Sequence, residues 1–153
     1  MQIKKLTIDD MDLLIKLRIE YLLEDKKAQS LDNMEKLKSN LREYFTKWIP
    51  NNGCVAYIAE EAGEVYSTAF MSITERLPRK STSYLIGTVY NVYTYPQYRK
   101  KGIATKVMSA LLEEAKILDV AYVELLSTSA GKPLYKKIGF QEITEYTAMR
   151  FKI

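Results

Sequence analysis

The stretch "YRKKGIATKVM", residues 98–108, sits where a strand hands over to a helix. Before it, "YLIGTVYNVYTY" (84–95) is rich in β-branched and aromatic residues and ends at Pro96, the composition of a strand. After it, Ile103, Val107, Leu111, Ala115 and Leu118 recur at helical spacing, which predicts a helix over 102–118. A plain turn between the two needs the glycine but not three cations. The first N–H groups of a helix have no intrahelical partner, and the helix dipole places partial positive charge there, so an anion docks readily. Gly102 takes positive φ at no steric cost and lets the backbone approach a ligand. Ala104 keeps the next turn uncrowded, and Arg99, Lys100 and Lys101 add charge to the same mouth. These are the parts of a pyrophosphate cradle. They are equally the parts of a helix start with a solvated basic flank, and the turn alone serves either reading. G-x-x-x-x-G-K-[ST] and G-x-G-x-x-G are both absent, which sets aside a P-loop and a dinucleotide fingerprint.

Working outward, "YVELL" (122–126) reads as the next strand and closes a β-α-β unit, whose crossover is expected to be right-handed. Upstream, "IKKLT" is a short first strand. Thr7 with Asp10 three residues on is a capping-box arrangement opening a helix, with Met11, Ile15, Ile19 and Leu22 on its buried side. A second helix is predicted from near Ser30. Met34, Leu37, Leu41, Phe45 and Trp48 step by three and four, and Pro50, Asn51, Asn52 and Gly53 end it. "CVAYIAE" and "EVYSTAFMSI" flank "EAG" as a hairpin, and "PRKSTS" is a polar loop. Downstream, a short helix carries "PLYKKIG", and "FQEIT" and "TAMRFKI" read as the last two strands. The order β-α-α-β-β-β-α-β-α-β-β predicts an α/β (mixed α+β) domain spanning 1–153. Its sheet is expected to have about seven strands, mostly antiparallel, around one parallel β-α-β unit.

Composition removes several chemistries. The 153 residues include one cysteine and no histidine, so disulfide scaffolds, Cys/His zinc sites and histidine-based nucleophilic triads lack their residues. No metal site is expected. Cys54 lies in a strand and reads as a small core residue, and a lone cysteine agrees with a reducing compartment. "MQIKKLTIDD" has no apolar core of signal-peptide length, and no apolar run is long enough for a membrane span, so a cytoplasmic location without membrane contact is expected. The net charge of +4 is spread along the chain, which argues against a dedicated polyanion surface.

A second constellation follows the β-α-β unit. "LYKKIGF" (134–140) places Tyr135 on a short helix and Gly139-Phe140 at the exit to a strand. Gly139 fits a helix C-cap and Phe140 a core position. Tyr135 has a packing reading and a catalytic reading. Both constellations, in this order, resemble the GNAT superfamily of acyl-CoA-dependent N-acyltransferases. The pattern [RQ]-x-x-G-x-[GA] matches Arg99-Lys100-Lys101-Gly102-Ile103-Ala104, preceded by Pro96, and Tyr-x-x-x-Gly-Phe matches residues 135–140. The likeness covers roughly 54–153, and the two N-terminal helices fit more loosely.

The resemblance implies a GNAT-like fold with acetyl-CoA as cosubstrate. The pyrophosphate would lie on Arg99, Lys100, Lys101, Gly102, Ile103 and Ala104. The pantetheine arm would run beside Val92, Tyr93 and Thr94 like an added strand, with Ser127 and Thr128 near it. The fourth and fifth strands would splay into a V. A neutral amine would attack the thioester directly, backbone N–H groups around Val92 and Tyr93 would hold the oxyanion, and Tyr135 would protonate the departing sulfur. Three departures stand out. Thr128 occupies the position where the family usually has asparagine, "IGTVYNVYT" carries no acidic base, and Lys100 replaces a frequent glycine. Proton removal would then fall to water held by Asn91, Ser127 or a tyrosine, or the amine arrives neutral.

The acceptor, a small-molecule or peptide amine, is expected on the side of the first helices. Glu20, Tyr21, Glu24 and Trp48 lie there, as surface acids and packing aromatics or as contacts to a cationic amine. Tyr90 and Tyr93 are better placed on the strand itself. A homodimer through the C-terminal strands is a further expectation. Two rivals remain in view: a CoA-binding module with little turnover, and a basic nucleic-acid-binding domain. The second is disfavoured because the tyrosines fall largely in strands and no helix-turn-helix or RNA-binding signature occurs.

Overall fold

Strict alternation builds the centre of the sheet. In strand β2 (Cys54–Glu61), Cys54, Ala56 and Ile58 enter one buried cluster and Val55 and Ala59 the opposite one. Both faces are therefore covered, and the molecule has three layers. The computed structural model describes residues 1–24, 33–78, 80 and 83–153. The segment near Ser30, where the second helix was expected to open, and part of the "PRKSTS" loop lie outside the described residues.

Strand β1 (Gln2–Lys5) pairs antiparallel with β2, and β2 pairs antiparallel with β3 (Glu64–Glu75) across a tight turn. Ala62 and Gly63 both take positive φ there, as a two-residue hairpin on right-twisted strands requires. β3 pairs antiparallel with β4 (Leu85–Thr94), and β4 pairs parallel with β5 (Tyr122–Glu124). The crossover between β4 and β5 is helix α3 (Ile103–Ile117). Its predicted stripe holds: Ile103, Val107, Leu111 and Ala115 are all buried, with Met108 added.

Helices α1 (Met11–Glu24) and α2 (Met34–Trp48) cover the first face. The Thr7–Asp10 capping box forms as read, but it opens a short 3-10 turn, Ile8–Asp10, before α1 begins. Leu14 and Leu17, outside the predicted stripe, are the most buried side chains of α1. α2 opens with Asn33, whose side chain accepts from the Lys36 N–H at 3.0 Å. Helix α3 and the short α4 (Lys132–Ile138) cover the second face. Lys5 on β1 and the Tyr57 hydroxyl on β2 both meet the Glu114 carboxylate of α3, at 2.6 and 2.9 Å, tying that helix to the sheet.

The last two strands, expected at 140–144 and 147–153, do not form. Among the described residues the sheet has five strands in the order β1-β2-β3-β4-β5, not about seven. A strand needs a partner edge of matching length, and β5 offers only three residues. The period-2 pattern of Met149, Phe151 and Ile153 is real, but those side chains are 92, 87 and 109% exposed. Among the described residues, no helix is long and apolar enough to cross a membrane.

Candidate active site

The site is assembled around the free end of β4. Its parallel pairing with β5 covers only Ile86, Gly87 and Thr88. Among the described residues, that edge carries no further strand from Val89 to Thr94. Gly87 sits at the junction because a Cβ there would come 2.6 Å from the Met71 sulfur.

A bulge then redirects the strand. Thr68 of β3 faces Tyr93, and Phe70 faces Tyr90, so one extra residue intervenes on β4. Asn91 supplies it in the left-handed region, φ 57°. As a result the consecutive residues Tyr90 and Asn91 both face α1 and α2, while Val89 and Val92 pack toward α3. Asn91 is fully buried. Its amide donates to the Leu17 carbonyl, and its oxygen accepts from the Arg18 guanidinium, both at 3.3 Å.

At the turn 99–104, Gly102 takes the positive φ that its sequence anticipated, and Lys100, not anticipated there, takes it too. Lys100 (φ 62°) and Gly102 (φ 73°) are both left-handed, and Gly102 caps α3 without any side-chain hydrogen bond. A Cβ on Gly102 would meet nothing within 4 Å, so the glycine serves the backbone conformation and leaves open space over the first turn of the helix. Arg99 folds back: its Nε donates to the Thr94 carbonyl at 2.9 Å and its guanidinium lies over the Tyr93 ring. Lys101 lies over the Tyr98 ring. Ile103 is buried and Ala104 half-buried on the first turn.

Tyr135 is half-buried on α4 and meets Phe140 edge-on at 5.9 Å between centroids. Burial pushes its hydroxyl up from the ordinary tyrosine value, with a further push from the nearby Tyr21 hydroxyl. Gly131 is needed beside it, since a Cβ there would come 2.9 Å from the Tyr135 ring. Thr128 is exposed, and its hydroxyl accepts from the Gly131 N–H at 3.1 Å, so it braces the turn just ahead of α4, whose N-cap is Gly131. Ser127 donates to the Thr128 carbonyl.

On the opposite side of β4 a pocket of about 290 Å³ lies between α1, α2 and the sheet, with Arg18, Tyr44, Cys54, Phe70 and Tyr90 in its wall. Burial pushes the Cys54 thiol up to about 12, so it stays protonated, in keeping with a core residue. Of the expected acceptor residues, Tyr90 lines this pocket. Tyr93 does not: it lies farther along the strand, beside Tyr95 and Arg99 and near Glu20 and Glu24 of α1. Glu20 is engaged by the Tyr95 hydroxyl, and Trp48 packs in the core under Lys47. Arg18 was missed by the sequence reading. Its signal was present, since a cation three residues after Ile15 and one before Ile19 falls within the apolar stripe.

A family model described as an acetyltransferase (GNAT) domain matches residues 52–142, which spans the bulged strand, the turn, α3 and α4. The chain belongs to the GNAT family. It is an acetyltransferase. A crystal structure of a predicted acetyltransferase with acetyl-CoA from Clostridium acetobutylicum is 29% identical at TM-score 0.83, covering 97% of this chain and 95% of that one. A GCN5-related N-acetyltransferase from Ralstonia eutropha JMP134 is 22% identical at TM-score 0.78, covering 97% of each chain. Glucosamine-6-phosphate N-acetyltransferase from Arabidopsis thaliana is 22% identical at TM-score 0.72, covering 99% and 98%. The last two likenesses speak to the fold alone. No curated protein sequence matches the chain.

Proposed function

We propose that this GNAT domain transfers an acetyl group from acetyl-CoA to a primary amine by direct attack in a ternary complex. The observation that carries the reading is the turn itself: left-handed Lys100 and Gly102 open an uncapped helix N-terminus at the foot of an unpaired strand edge. The groups present fit the cosubstrate. The N–H groups of the first turn of α3, with Lys100 and Lys101, suit a diphosphate. The edge at Val92, Tyr93 and Thr94 suits an amide-bearing arm. When bound, acetyl-CoA supplies an activated acyl group as a thioester. The Clostridium relative, whose structure holds acetyl-CoA, supports this assignment.

The chain's own residues supply placement and charge. N–H groups near Val92 and Tyr93 hold negative charge on the acyl oxygen. The Tyr135 hydroxyl donates a proton to the departing sulfur, and its upward-shifted pKa keeps it protonated at neutral pH. Among the described residues no carboxylate lines the adjoining pocket, so the amine enters neutral or yields its proton to water. With the Asn91 and Ser127 side chains already engaged, that water falls to a tyrosine. Arg99 acts through Tyr93 and Thr94, and Ser127 and Thr128 flank the arm from the turn just ahead of α4. The domain is proposed to span the whole chain, to work in the cytoplasm, and to pair with a second copy through residues 140–153.

The test is acetyl-CoA-dependent thermal stabilisation followed by thiol release with a panel of amines. Stabilisation without turnover of any amine supports the rival, a CoA-binding module. Neither stabilisation nor turnover removes the reading.

A further inference from the structure

We propose that the acceptor amine carries a carboxylate, and that Arg18 receives it in the pocket between α1, α2 and β4. The inference rests on the acetyl-transfer reading and names the class of acceptor.

Arg42 and Arg76 pair with Asp12 and Glu124, but Arg18 forms no ion pair among the described residues. It is half-buried, and among the described residues its one hydrogen bond, at 3.3 Å, goes to the neutral Asn91 side chain. The titratable groups facing it are Tyr21 on its own helix, Tyr44 on α2, Cys54 on β2 and Tyr90 on β4. None is a carboxylate. Burial holds Tyr44 and Cys54 at about 12. The wall therefore carries one uncompensated positive charge among Leu41, Phe45, Phe70 and tyrosine rings. A cation withdrawn from water without a counter-ion is costly, and a bound anion removes the cost. A guanidinium offers a planar pair of donors that matches a carboxylate.

The position fixes the acceptor's size. Asn91, which Arg18 touches, directly precedes Val92, where the acyl group is proposed to lie. An anion on Arg18 and an amine at the acyl group are therefore separated by only a few bonds, as in an amino acid. The apolar remainder of the pocket, about 290 Å³ in all, favours an aliphatic or aromatic side chain.

The test measures thiol release from acetyl-CoA with leucine, methionine, phenylalanine and tyrosine. Each is set beside its carboxamide and the amine lacking the carboxyl group. The proposal expects at least one free acid to exceed both analogues by roughly 10-fold or more in kcat/KM, chiefly through KM. Arg18→Gln should abolish that preference while leaving acetyl-CoA-dependent stabilisation unchanged, and Arg18→Lys should restore part of it. Loss that falls equally on acids and carboxamides in Arg18→Gln would mean a merely structural role and overturn the proposal. So would turnover confined to uncharged amines, or stabilisation by acetyl-CoA with no turnover of any of the acids. Failure of stabilisation in the unaltered protein sinks the acetyl-transfer reading instead.

Discussion

Tyr135 and Gly102 test the chemistry one side chain at a time. Tyr135→Phe keeps the ring against Phe140 and removes only the hydroxyl. A proton donor of this kind contributes ~10²–10⁴-fold, so kcat should fall by at least about 10-fold with CoA affinity unchanged, measured by thiol release and calorimetry. The sign of the pH effect follows from burial. The donor works protonated and its pKa is raised, so the rate should not decline at the alkaline end until pH exceeds the ordinary tyrosine value of ~10. Gly102 separates conformation from charge. Its side-chain direction is open, so Gly102→Ala meets only the left-handed backbone penalty, ~1–2 kcal/mol, and Gly102→Asn less. Gly102→Glu adds a negative charge at the turn proposed to hold the diphosphate and should weaken CoA binding beyond either in calorimetry. Equal affinities for the Ala and Glu variants would remove the turn from the site. The cations and glycine of this turn were legible because spacing and residue type alone define a helix start. Thr128 was not, because its use in the turn ahead of α4 depends on where Gly131 falls.

At the scale of the element, the bulge in β4 decides the arrangement of the site. It aims Tyr90 and Asn91 at the same helices, while Tyr93, farther along, lies outside the pocket they border. Periodicity describes regular pleats, so one inserted residue was enough to mislead a reading by alternation, although the strand itself was placed to within a residue at each end. Asn91 tolerates φ 57° because its short polar side chain suits the left-handed region, and its amide secures Leu17 of α1. Asn91→Gly keeps the backbone and loses the hydrogen bonds. Asn91→Val loses both. The valine variant should be less stable than the glycine variant by ~1–2 kcal/mol in chemical denaturation, since a β-branched residue is strained there. It should also raise KM for the acceptor, because Arg18 loses its hydrogen-bond acceptor. α3 was legible almost to the residue because its apolar stripe and glycine cap agree. The strands beyond α4 were not, because a period-2 pattern records what a segment is able to pair with, and only an adjoining edge makes it pair.

For the whole molecule, two helical layers are held to one sheet, and each layer builds one side of the proposed reaction centre. The Lys5–Glu114–Tyr57 group joins the α3 layer to the first two strands. The hydrogen bond from Lys5 lowers the Glu114 pKa, so its contribution is present above the ordinary glutamate value of ~4.3 and fades as pH falls through the lowered one. Glu114→Gln should cost ~0.5–1 kcal/mol at pH 7 and nearly nothing once acid has protonated the carboxylate, followed by urea unfolding across pH. The C-terminal stretch poses the larger question. Lys132 and Lys136 hold Glu142 against α4, yet Ile143, Tyr146, Met149, Phe151 and Ile153 beyond it are exposed. Apolar residues exposed together over one segment are a liability for a lone chain and suit a partner surface. If a second copy covers them, sedimentation should give a dimer, and removal of residues 143–153 should give a monomer that still binds acetyl-CoA. A full-length chain that sediments as a monomer at every concentration would remove the pairing from the proposal and leave the reaction centre as described.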